Sequence, residues 1–80
     1  MTDEQLINRI QAGNRSALGM VIDRYQGLVF TICLKVLGSR EEAEEAAQDV
    51  FLKLHQRARS FRGESRFTTW LYTLAYRTAI

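Results

Sequence analysis

Eighty residues make one small domain, and at 46% hydrophobic and 25% charged the chain is globular in class, not disordered. A single cysteine, Cys33, excludes an internal disulfide, while the absence of proline and the scattering of five glycines exclude a flexible linker. No apolar run approaches the ~20 residues of a bilayer crossing, and the start MTDEQ lacks a signal peptide's basic-then-apolar layout; the expected location is the cytoplasm. Net charge is +2, unevenly spread. Residues 1–51 hold five Lys/Arg against eight Asp/Glu, giving −3, and residues 52–80 hold six against one, giving +5. A basic C-terminal third suits a polyanion, because each neutralised phosphate releases counterions; an ordinary solvated face would carry the same charge.

Four helices and no strand are read from periodicity and caps. Thr2 with Gln5 forms a capping box that opens a short first helix with Leu6, Ile7 and Ile10 on its apolar face, and Gly13 ends it. Asn14 caps a long second helix carrying Leu18, Val21, Ile22, Tyr25, Leu28, Val29, Ile32 and Val36 along one face. Gly38 stops it. Ser39 with Glu42 is a second capping box, and Glu41, Glu42, Glu44 and Glu45 lie where the helix dipole favours negative charge. The third helix buries Ala43, Ala46, Ala47, Val50, Phe51, Leu54 and Ala58 and ends near Arg59. A loop, SFRGES, turns at Gly63, and Ser65 is the expected cap of a fourth helix with Phe67, Trp70, Leu71 and Leu74 inward. These elements predict an all-α fold, a compact four-helix bundle with a short first and a long second helix.

A helix advances about 100° per residue, so side chains that do not fit the bundle can be found by projection. On helix four, Tyr72 and Tyr76 project away from Trp70 and Leu74, beside Thr69, Thr73 and Arg77. Such a surface can stack on bases, the reading that the adjoining basic patch favours over cover by a neighbouring domain. On helix three, Leu52 points outward among Glu45, Gln48, Asp49 and Gln56, an apolar anchor with a polar rim that would suit protein docking, while His55, toward the polar side, reads as an exposed, idle histidine. Phe30, Leu34 and Leu37 form a second apolar stripe on helix two, read as packing against a second neighbour in preference to a groove for a partner helix. The segment Phe61-Arg62-Gly63-Glu64-Ser65-Arg66-Phe67 interleaves aromatics with cations. Phe61 can act as a wall for an extruded base, Glu64 and Ser65 as partners for its edge, and Arg62 and Arg66 as phosphate contacts. Phe61 and Phe67 can also staple the loop to the core, and both roles are compatible.

No catalytic constellation is present. One histidine and one cysteine provide no metal quartet, and the glycines form no phosphate-cradling loop. Cys33 has no basic neighbour at helical spacing and reads as small core filler. The chain is expected to be neither an enzyme nor a metal or cofactor binder, with no small-molecule substrate.

Three blocks in order, QLINRIQAGNRSALGMVIDRY, EEAEEAAQDVFLKLHQ and SFRGESRFTTWLYTLAYRTA, resemble domain two of the extracytoplasmic-function (ECF) group of bacterial sigma factors. The resemblance covers essentially all of residues 1–80. It implies a domain that binds core RNA polymerase and recognises and melts the promoter −10 element through the single-stranded non-template DNA. Glu45, Gln48, Asp49, Leu52, His55 and Gln56 then fall on the face that docks the clamp helices of the polymerase's largest subunit. Phe61, Arg62, Gly63, Glu64, Ser65 and Arg66 fall in or beside the loop that receives a flipped base. Thr69, Tyr72, Thr73, Tyr76 and Arg77 fall on the helix that meets −10 DNA.

Many relatives carry asparagine at the position of Arg77, within Ala-x-Asn-x-Ala. Arginine can read a guanine edge or grip a phosphate, so the family's base preference is not carried over. Family members continue through a linker to a second helical domain that reads the −35 element, which implies that this chain is one part of a longer protein. An anti-sigma protein is an expected partner. Two rivals remain at this stage: a sigma mimic that binds an anti-sigma protein without touching DNA, and an unrelated helical binder of duplex DNA.

Overall fold

Thr2, Asn14 and Ser39 each accept a hydrogen bond from the backbone of the helix that follows them, which sets where three of the four helices begin. The computed structural model describes residues 1–80. The helices are α1 (Asp3–Gln11), α2 (Arg15–Leu37), α3 (Arg40–Arg57) and α4 (Phe67–Ala79), with a single 3₁₀ turn, Ala58–Ser60, after α3. Thr2 and Gln5 complete their capping box with bonds of 3.0 and 3.1 Å. At the other end of α1, Gly13 adopts φ +94° while its N–H donates to Ile10 and that of Asn14 to Arg9. This is a Schellman closure, and it lets Asn14 cap α2 at once, through the Ala17 N–H. Gly38, at φ +70°, ends α2 in the left-handed conformation.

Two cap expectations are corrected. Ser39 accepts from the Glu42 N–H at 3.4 Å, but Glu42 does not return the bond, so that box is half-formed. Ser65 does not cap α4. Arg66 occupies the N-cap position with no side-chain bond to the helix, and the Ser65 hydroxyl donates instead to the Arg66 carbonyl. The start of α4 is therefore fixed by burial of Phe67 and not by a cap.

The core is a single cluster of 18 apolar residues drawn from all four helices and the 3₁₀ turn, with no polar side chain inside it. Helix α2 is central and packs against α1, α3 and α4. Leu6, Ile7, Val21, Val29, Val50, Leu54 and Leu71 are almost wholly enclosed, as expected from periodicity. Leu28 is not; it is 40% exposed, because it faces a shallow trough between α2 and α4 that Tyr72 and Tyr76 only partly roof. Ala47, Phe51 and Trp70 are half-buried at the rim, and Ala75 and Ala79 close the α4 side. Phe30 and Leu37 pack against the core as a second neighbour demands, whereas Leu34 remains exposed. Contrary to the expectation from the sequence, α2 is long and apolar enough, by length and average composition, to cross a bilayer. Asp23, Arg24 and Gln26 interrupt it, and here its apolar residues serve three helical neighbours.

The N-terminal turn of α1 is tied to α2 by one polar knot. Arg24 bonds the Asp3 carboxylate at 2.9 Å and the Met1 carbonyl at 2.8 Å, and the Tyr25 hydroxyl donates to the other Asp3 oxygen. Burial, reinforced by that hydrogen bond and by the Asp3 charge, pushes the Tyr25 phenol from 10.0 up to about 12. Between these values the unfolded chain ionises Tyr25 while the folded one retains the proton. The tyrosine's contribution to stability is thus complete below pH 10 and declines as pH rises towards 12. Urea titrations of the wild type and Tyr25→Phe should therefore converge across that window; a constant gap between them would contradict the assignment.

Candidate nucleic-acid interface

The stretch from Phe61 to Arg66 leaves the bundle between the 3₁₀ turn and α4, and Gly63 makes its turn at φ +75°. A side chain there would be strained, so the glycine is required by the backbone and not by lack of space. Phe61 is half-buried. Its ring meets Phe67 edge-on at 5.9 Å and Trp70 at 5.5 Å, and Tyr25 supports Phe67 from behind at 5.7 Å. The aromatic staple expected from the sequence is present, and it still leaves part of Phe61 accessible.

Phe61, Arg62 and Ser65 line two concavities. One, of about 300 Å³, is walled by the loop and by Glu4, Asn8 and Gln11 of α1. The other, of about 340 Å³, is bounded also by Ser60, Glu64 and Trp70. Ser60 and Trp70 also line a neighbouring groove of about 260 Å³ between α3 and α4, which holds Lys53, Arg57, Thr73, Arg77 and Thr78. Lys53 donates to the Thr78 hydroxyl at 3.3 Å. A track of basic residues thus follows the loop and the α3–α4 seam: Arg62 lines both loop cavities, Lys53, Arg57 and Arg77 line the groove, and Arg66 lies on the α1 side of the loop.

Arg62, Gly63, Glu64, Ser65, Arg66, Thr69, Tyr72, Thr73, Tyr76 and Arg77 are all exposed. The fold divides those on α4. Thr73 and Arg77 face the basic groove, whereas Tyr72 and Tyr76, 53% and 47% exposed, line the opposite trough with Leu28, Thr31 and Lys35 of α2. Sequence reasoning missed Lys53, Arg57 and Ser60. Lys53 and Arg57 are one helical turn apart and could have been paired on that basis. It also missed the α1 wall, for which the sequence offers no signal.

Away from this track, Leu52 is 55% exposed at the centre of an α3 face where Glu45, Gln48, Asp49, His55 and Gln56 are also exposed. Gln48 borders an apolar groove of about 420 Å³ between α2 and α3, lined by Ile22, Phe30, Ala47 and Phe51. Cys33 lies inside the core, and burial pushes its thiol up from the ordinary value, away from a reactive thiolate.

The family model described as "Sigma-70 region 2" matches residues 21–80. The chain belongs to this family. Among curated relatives, this region 2 is 38% identical over 79 residues to the ECF RNA polymerase sigma-E factor of Haemophilus influenzae, covering 99% of this chain and 41% of that protein. It is 35% identical over 77 residues to the RNA polymerase sigma-H factor of Pseudomonas aeruginosa, covering 96% of this chain and 40% of that one. The chain thus spans about two fifths of the length of these relatives. Among solved structures, an engineered region 2 of sigmaE in complex with GTAAAA superposes with a TM-score of 0.91 at 32% identity, covering 99% of this chain and 82% of that one. That superposition shows the same all-α fold in the solved region 2.

Proposed function

We propose that this region 2 binds core RNA polymerase through the Leu52 face of α3 and captures promoter −10 DNA as a melted single strand along the loop and the α3–α4 groove. The reading is supported above all by this arrangement: an aromatic ring at Phe61, adjacent cavities that share lining residues, and five cations spread over the loop and the groove. Stacking and edge hydrogen bonds offset the few kcal/mol needed to extract a base, and the cations neutralise phosphates, so no covalent chemistry is required. The likeness to a region 2 solved in complex with GTAAAA supports the nucleic-acid reading. On the α3 face, Leu52 supplies an apolar anchor with a polar and acidic rim, and the adjoining α2–α3 groove extends its apolar area. We place the domain in the cytoplasm, as one part of a longer sigma factor held in check by an anti-sigma protein.

One titration set tests this. The chain is titrated with the single strand GTAAAA, with its duplex, and with a peptide of the polymerase clamp helices. The single strand should bind more tightly than the duplex, and Leu52→Glu should weaken only the peptide. Replacing Lys53, Arg57 and Arg77 together by alanine should reduce the slope of log K against log salt by about 2 for the single strand, at roughly 0.7 per phosphate contact. An unchanged slope would remove the groove from the strand's path. Binding of an anti-sigma protein with no response to DNA or peptide would replace the proposal by the sigma-mimic reading.

A further inference from the structure

The loop that walls the base cavity has almost no hydrogen bonds of its own. From Arg62 to Ser65 no backbone N–H or C=O is bonded at all. The loop is entered through the Phe61 N–H, bonded to Ala58, and left through the Arg66 carbonyl, bonded to Trp70. Its one polar tie to a distant element is a single side chain on α1. Gln11 Nε2 donates to the Ala58 carbonyl at 2.8 Å and to the Phe61 carbonyl at 3.0 Å, across 47 and 50 residues of chain. Both of its N–H groups are thereby committed. Gln11 lies within the cavity wall beside Asn8, and α1 is anchored to α2 at its far end by the Asp3–Arg24–Tyr25 knot.

We propose that Gln11 is a positioning residue for base capture, pinning the entry of the loop to α1 so that the cavity beside Phe61 exists before the strand arrives. This rests on the base-capture reading above. The physical reason is preorganisation: a binding loop already held in shape loses less conformational freedom when it closes on a ligand. Phe61 itself is held by Phe67 and Trp70, but those rings fix only the side chain. The carbonyl that turns the chain towards Arg62 is held by Gln11.

The test uses the 80-residue chain, the hexanucleotide GTAAAA and six copies of it, each abasic at one position. A wild-type preference for the intact strand over one or two of the abasic copies identifies the captured base. Gln11→Met keeps the length of the side chain without its donors, and Gln11→Glu turns a carboxylate towards two carbonyls. Each should weaken the intact strand roughly tenfold while leaving the abasic copies within about twofold, so that the preference collapses. Gln11→Lys restores donors and should recover the preference, a ratio that its added charge leaves unmoved. Circular dichroism melts confirm that each variant is folded at the titration temperature. Equal losses on intact and abasic strands, or a preference retained in Gln11→Met, would overturn the positioning role alone. A wild type without preference at any position would remove base capture, and this role with it.

Discussion

Phe61→Ala is expected to weaken binding of the −10-type single strand about 5- to 150-fold, the range that follows from about 1–3 kcal/mol for stacking one base on an aromatic side chain. Phe61 lines both loop cavities, so its removal deletes a wall against which a base would lie. The substitution also has a structural cost, because Phe61 packs edge-on against Phe67 and close to Trp70. Each such pair contributes about 0.5–1.5 kcal/mol beyond burial. Phe61→Leu separates the two effects: it retains apolar volume against Trp70 but has no aromatic face. Its melting temperature should recover most of the loss while its strand affinity should not. A Phe61→Leu chain that binds the strand as tightly as the wild type would show that Phe61 only staples the loop. Equal weakening of single strand and duplex would point to phosphate contacts in place of base capture.

The second large effect concerns two leucines of the same chemistry that projection assigns to opposite roles. Leu71 on α4 is wholly enclosed, whereas Leu52 on α3 is 55% exposed. Leu71→Ala removes buried methyl groups from the seam where α4 meets α2 and α3 and leaves a cavity, a change that costs about 2–5 kcal/mol. At roughly 0.05–0.15 kcal/mol per residue, a domain of this size has only about 4–12 kcal/mol in total, so much of its stability would disappear. Leu52→Ala should change stability by no more than about 0.5 kcal/mol. Urea denaturation distinguishes them, since the midpoint should fall sharply for Leu71→Ala at nearly constant m-value and stay in place for Leu52→Ala. A large shift for Leu52→Ala would mean that its face serves the fold and is not free to dock a partner.

What could be read in advance was what local chemistry decides. Thr2, Asn14, Gly13 and Gly38 act within a few residues of themselves, and each caps or ends a helix as its type requires. Leu52, Tyr72 and Tyr76 were found by angular projection, because exposure on a regular helix follows from position alone. Leu28 failed the same projection. Its burial depended on how closely α4 approaches α2, which no property of α2 determines. Ser65 failed for a related reason, since a good capping residue is overridden when Phe67 must turn inward immediately after it. The larger omissions were contacts across distance. Gln11 bonds residues 47 and 50 positions away, and Lys53 and Arg57 share a groove with Arg77 only because α3 and α4 lie side by side. The candidate loop was therefore legible as a segment, while its outer wall and its continuation were legible only in three dimensions.

Trp70 is the sole tryptophan, and its ring centre lies 5.5 Å from that of Phe61, at the junction of the loop cavity and the basic groove. The chain therefore carries a native fluorophore beside the position proposed for the captured base. A nucleobase seated there would quench indole emission, and drier surroundings would shift it towards the blue. Strand capture, loop opening and salt-driven release could then be followed on one unlabelled molecule in a stopped-flow cell. A partner that engages only the Leu52 face should leave that signal unchanged.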